Sequence, residues 1–174
     1  MGKTVISMKL DESDINRVIS ELKQYKRDFL KKVDTYRKRI ADEIANNASL
    51  RFGSATMEHT IRGVPRKPDV TVEVNEVGDI SVVVANGEDA VWCEFGAGVY
   101  YNGSVGSSPN PYGKSLGFTI GSYGKGYGKG RAWGYYDDTG ELVITRGTPA
   151  TMPMYNAAKE ITKEAIKIAR EVFK

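Results

Sequence analysis

Few residues in this chain have the type and spacing for chemistry. There is one histidine, His59, and one cysteine, Cys93. A hydrolytic triad needs a histidine base beside a nucleophile. His59 lies in a polar connector with no nucleophile motif, so it reads as a surface residue. Cys93 sits in the apolar run Ala90-Val91-Trp92-Cys93-Glu94-Phe95, which suits packing better than nucleophilic attack. One Cys and one His cannot complete a zinc site, and a single Cys excludes an internal disulfide framework. Asp137, Asp138 and Glu141 lack the spacing of a calcium loop and read as a turn.

Two glycine motifs invite a phosphate-binding reading and fail it. Gly113-Lys114-Ser115 ends like a P-loop, but Ser108 stands where the first glycine belongs, with no strand before and no helix after. Gly124-Lys125-Gly126-Tyr127-Gly128-Lys129-Gly130 leads into a strand. Dinucleotide binding needs a helix N-terminus at that point. The expectation is no catalysis, no cofactor and no metal.

The chemistry that remains is contact chemistry. From Gly96 to Gly130 the chain is mostly Gly, Ser, Tyr, Asn and Pro, and its only charges are Lys114, Lys125 and Lys129. About thirty-five such residues cannot form a core of their own; loops of this length are functional or disordered. Tyr100, Tyr101, Tyr112, Phe118, Tyr123 and Tyr127 offer large contact area with little entropy loss, and glycine allows close backbone approach. The composition suits a subunit contact. It also suits single-stranded nucleic acid, with bases on the aromatics and phosphates on the lysines.

The rest of the chain must carry this loop. At 174 residues and net charge +3, a single soluble domain, 1–174, is expected. No run is long enough to span a bilayer, and Met1-Gly2-Lys3-Thr4 has no signal-type apolar region. Thr4 to Leu10 alternates as a short edge strand, and Asp11-Glu12-Ser13-Asp14 has the composition of a helix start.

A long helix is expected over 14–52, with the stripe Ile15, Val18, Leu22, Tyr25, Phe29, Val33, Tyr36, Ile40, Ile44 at an average period of 3.6. Lys23, Lys26, Arg27, Lys31, Lys32, Arg37, Lys38 and Arg39 fill another face. That face is either solvated beside Glu21, Asp28, Asp34 and Asp42, or a surface for nucleic acid or an acidic partner. A rod of this length, about 60 Å, exceeds a compact body about 40 Å across. It must kink, at Asn46-Asn47, or overhang.

Gly53 is expected to end the helix. A meander follows over 69–95: Val70, Val72 and Val74 alternate with polar residues, Val77-Gly78-Asp79 turns, Ile80 to Ala85 returns, and Asn86-Gly87 is a tight turn. Ala90 to Phe95 is a short helix or a third strand, with Trp92 and Phe95 three apart favouring helix. After the glycine-rich loop (96–130), a hairpin is expected over 131–146, turning at Asp137 to Gly140. A C-terminal helix spans 152–174, capped by Thr151, with Pro153 in its first turn and Met154, Ala158, Ile161, Ala165, Ile168 and Val172 facing inward. The class is α+β: an antiparallel sheet packed against a long N-terminal and a C-terminal helix.

Two blocks in this order, Glu94-Phe95-Gly96-Ala97-Gly98 and Thr145-Arg146-Gly147-Thr148-Pro149-Ala150 leading through Met152-Pro153-Met154, flank the loop and the aromatic hairpin Trp133 to Tyr136. In this, from Asp14 onward, the sequence resembles the tail-completion or head–tail joining proteins of long-tailed bacteriophages, the neck or minor capsid proteins. Ala97 departs from the family pattern, where Thr is expected. The resemblance implies a non-enzymatic virion protein at the head–tail connector, present in the host cytoplasm during assembly. It implies a homo-oligomeric ring, commonly sixfold, between the portal complex and the tail tube, touching other neck proteins, with DNA passing through its lumen. Glu94, Phe95, Gly96 and Gly98 are then the loop's anchor. Arg146, Gly147, Pro149 and Pro153 set the approach to the last helix. Tyr112, Tyr123, Lys125, Tyr127 and Lys129 belong to the contact surface, the stretch Gly103 to Lys129 ordering against a neighbour. The alternative is a nucleic-acid-binding module using the basic helix face and the Tyr/Lys/Gly loop.

Overall fold

The structure is a computed structural model that describes residues 7, 9, 11–57, 67–96, 108–118, 133–136, 139–145 and 147–174, with the backbone alone at Trp133 and Tyr135. Most of the Thr4 to Leu10 strand, His59 and its connector, and the site positions Gly98, Tyr123, Lys125, Tyr127, Lys129 and Arg146 lie outside the described residues. Helix α1 spans Glu12–Ser54, followed by strands β1 (Thr71–Val77) and β2 (Ile80–Asn86), helix α2 (Glu88–Phe95), strands β3 (Trp133–Tyr136) and β4 (Leu142–Thr145), and helix α3 (Pro153–Val172). The class is α+β, with a long N-terminal helix, antiparallel pairing and a C-terminal helix.

The α1 helix starts within its acidic cluster, at Glu12, two residues before the expected Asp14. Asp11 is extended and accepts from the Asp14 N–H at 2.9 Å, satisfying one of the free donors of the first turn. The helix then runs 43 residues without a break at Asn46-Asn47 and continues one residue past Gly53. Its buried residues are Ala41, Ala45, Ala48 and Phe52, all in the C-terminal part. The stripe read from the large apolar residues reaches this region as Ile40 and Ile44, which are only half-buried. Small side chains take the centre because α3 and the first hairpin both pack closely there.

The α3 helix runs antiparallel to α1: Arg51 pairs with Glu160 and Arg39 with Glu171. It ends beside the middle of α1, where Phe173 meets Phe29 and Tyr36 at ring-centroid distances of 5.8 and 6.1 Å. The fully buried helix position is Ala157 rather than the expected Ala158, which is exposed; Pro153, Ile161 and Ile168 join it.

Strands β1 and β2 pair from Thr71 with Asn86 to Val77 with Ile80 around Gly78-Asp79. Strands β3 and β4 pair from Trp133 with Thr145 to Tyr136 with Leu142. Among the described residues the antiparallel sheet is thus two separate two-stranded hairpins. Asn86-Gly87 is a strand-to-helix corner. Gly87 has φ +130°, and a Cβ there would stand 2.2 Å from the Asp69 carbonyl oxygen, so only glycine lets β1 pass. The core lies where α1 ends: Phe52, Ala55, Met57, Ala90 and Cys93, with Val70, Val72, Ala85, Trp92 and Met154 packed on it.

Candidate functional site: the Glu94 junction

The two sequence blocks that flank the loop meet at one carboxylate. Glu94, in the last turn of α2, is buried. Its Oε2 accepts from the Met154 N–H at 2.8 Å and its Oε1 from the Tyr155 N–H at 3.0 Å, both in the first turn of α3. Oε1 also accepts from the Asn110 amide at 2.8 Å. A carboxylate at a helix N-terminus satisfies free N–H groups and complements the positive end of the dipole. Burial pushes the Glu94 carboxyl above the ordinary glutamate range; the Met154 and Tyr155 N–H groups and the Asn110 amide oppose that shift without reversing it.

This arrangement corrects the expectation that Thr151 caps the last helix. The residue preceding α3 is Met152, in the left-handed region at φ 52°, and it makes no capping bond. Thr151 instead turns back on α2: its N–H donates to the Cys93 carbonyl at 2.8 Å and its hydroxyl at 3.3 Å, and the Met152 N–H donates there at 3.1 Å. A side chain 60 residues away does the capping that the local residues do not.

The segment before α3 is pressed against the end of α2. Gly96 ends α2 at φ +77°, and a Cβ there would meet the Ala150 nitrogen at 3.0 Å and the Thr148 oxygen at 3.2 Å. The Gly147 N–H donates to the Thr145 hydroxyl at 2.9 Å, with Thr145 and Thr148 both buried. Pro153 is buried at the start of α3, while Pro149 is exposed.

The third component is the turn 108–118. The Ser108 hydroxyl donates to the Phe95 carbonyl at 2.6 Å. The Tyr112 N–H donates to the Asn110 side-chain oxygen at 2.9 Å, and the Gly113 N–H to the Asn110 carbonyl at the same distance. Phe95 and Phe118 stack at 4.1 Å, and Tyr112 meets Tyr155 edge-on at 6.2 Å. The structure therefore brings Glu94, Phe95, Gly96, Tyr112, Gly147 and Pro153 to one place. Ser108 and Asn110 were missed as site residues, whereas Phe118 belongs to the aromatics read as contact residues and packs on Phe95. The Ser-Pro-Asn-Pro-Tyr-Gly run around them is a turn signal that marks where such a stretch docks.

The basic face of α1 is largely matched by acids where it meets the body. Arg37 bridges Asp34 and Glu76, Lys38 pairs with Asp34, and Arg39 pairs with Glu171; near the N-terminus of α1, Arg17 pairs with Asp14 and Glu21. Asp28 accepts from Gln24 rather than from a lysine. Hydrogen bonds from Lys38 and Arg37 hold the Asp34 carboxyl below the usual aspartate range. Among the described residues no three His, Cys, Asp or Glu side chains are grouped to hold a metal ion, and no helix is long and apolar enough to cross a membrane. Compared with known protein families, with curated proteins and with solved structures, the chain finds no match in any of the three.

Proposed function

We propose that this chain is a structural subunit of the head–tail connector of a long-tailed bacteriophage, a neck or tail-completion protein working by shape and self-association. It assembles as a ring, sixfold in the family it resembles, between the portal complex and the tail tube, with DNA passing through the lumen. The observation that supports it best is the Glu94 junction. The buried carboxylate there is used up by Asn110 and the first turn of α3, so it braces the root of a long loop. The α1 rod, extending past the body, gives a second arm for reaching a neighbour.

The test is electron microscopy of the concentrated protein together with limited proteolysis. Rings with a central hole are expected, and cleavage within 103–129 is expected to slow in the ring. Equal cleavage in free and assembled protein, or no ring at any concentration, overturns the reading. DNA affinity that falls steeply with salt, without rings, would favour the nucleic-acid module instead.

A further inference from the structure

The N-terminal part of α1 carries an apolar face that nothing among the described residues covers. The α3 helix stops beside Phe29, so α1 from Glu12 to Asp28 projects about 25 Å beyond it. Along this rod Ile15, Ile19, Leu22 and Tyr25 are exposed, Leu22 by 50 % and Tyr25 by 63 %, and Phe29 at its base keeps 44 % of its surface exposed beside Phe173. Large apolar residues aligned on one exposed helix face mark an interaction surface.

Charge and space together select the occupant. Residues 11–21 carry net −3, from Asp11, Glu12, Asp14 and Glu21 against Arg17. Residues 23–32 carry net +4, from Lys23, Lys26, Arg27, Lys31 and Lys32 against Asp28. A second rod lying parallel would run its own C-terminal half into the space that α3 occupies on the same stripe. A rod lying antiparallel about Leu22 reaches only the end of α3, at Phe173 and Lys174. Its acidic N-terminus arrives at the end of α3, beside Lys31 and Lys32 and at Lys174, whose carbonyl Lys32 already holds at 2.6 Å. There the positive end of the incoming helix faces the negative end of α3.

We infer that two copies of this chain pair through their projecting α1 rods, antiparallel about a two-fold axis near Leu22. In that register Ile15 packs on Phe29 of the second copy, Ile19 on Tyr25, and Leu22 on its counterpart. Glu12 faces Lys32 and Glu21 faces Lys23 across the pair. Arg17 faces Arg27, an opposition eased because Asp14 and Glu21 hold Arg17 within its own helix. The contact is short, so the dimer is weak and concentration-dependent. It does not rest on the virion reading: a two-fold contact matches a surface to itself, whereas a ring joins two different surfaces.

The experiment is light-scattering mass measurement on the full chain from about 1 µM to about 500 µM, the range where a weak dimer forms. The mass is expected to climb from 19.2 kDa to at least twice that value. Leu22→Glu is expected to weaken self-association roughly tenfold or more, with an unchanged unfolding midpoint because the position is solvent-facing. Orientation is read by oxidative cross-linking, since Cys93 is buried and stays out of the reaction. Leu22→Cys chains are expected to link to one another, and Ile15→Cys chains to Phe29→Cys chains but not to themselves. A mass of 19.2 kDa at every concentration overturns the inference, as does a dimer indifferent to Leu22→Glu or self-linking by Ile15→Cys. Rings seen without rod cross-links would sink this pairing and leave the connector reading standing.

Discussion

Glu94 shows how one side chain can join segments far apart in the chain. It holds the first turn of α3 through the Met154 and Tyr155 N–H groups and the turn 108–118 through the Asn110 amide. Glu94→Ala leaves all three donors without this acceptor in a buried site, which is expected to destabilise the protein by about 2–4 kcal/mol. Glu94→Gln keeps the shape but turns an amide donor toward a backbone N–H, for a loss of about 1–2 kcal/mol. Urea midpoints at constant slope measure both. A folded-state pKa above the ordinary 4.5 of glutamate means that the native state holds the Glu94 proton more tightly than the unfolded chain. Its contribution to stability is therefore fully present below pH 4.5 and is lost as pH rises through the raised value. The margin of the natural chain over Glu94→Gln is expected to be widest near pH 4 and to narrow toward pH 7, read from urea midpoints across that range. A margin that widened with pH would contradict the burial argument.

At the scale of elements, α1 is two helices in one. Its C-terminal half is held by α3 and the first hairpin, through small residues that let them approach: Ala41, Ala45 and Ala48. Ala48 is fully buried, so Ala48→Leu should overpack the contact and lower stability by about 1–3 kcal/mol. Ser49→Leu, one position on and exposed, should change it by no more than about 0.5 kcal/mol. Thermal unfolding of the pair separates packing from helix propensity, which differs little between alanine and leucine at 48 and favours leucine over serine at 49. The length and continuity of α1 are legible in the sequence, because a period near 3.6 sustained over forty residues has few other readings. The residues that form its contact surface are not. Alanine carries little hydrophobic signal, and the need for small side chains appears only when two elements press on the same turns.

At the scale of the whole molecule, body and rod are distinct. The core gathers around Phe52, Ala55, Met57, Ala90 and Cys93, far along α1 from Glu12. A chain shortened to begin at Leu30 should keep its cooperative unfolding, with a midpoint lowered by only a few degrees, since of the described body contacts chiefly the Phe29–Phe173 contact is removed. Calorimetry on the shortened chain checks this, and collapse of the transition would mean that the rod supports the core.

The α+β class, the two hairpins with their turns at Gly78 and Gly140, and the start of α1 at its acidic cap follow from patterns local to a few residues. Sequence order displays such patterns directly, because period and turn chemistry involve near neighbours. Thr151 misled for the same reason: it has the right type and place for a cap, and locality offers nothing against it. Folding decided otherwise by bringing Glu94 to the start of α3, leaving Met152 in a left-handed turn and Thr151 bonded to Cys93. Which buried donor meets which distant acceptor depends on the path of the whole chain, and no window of neighbouring residues contains that path.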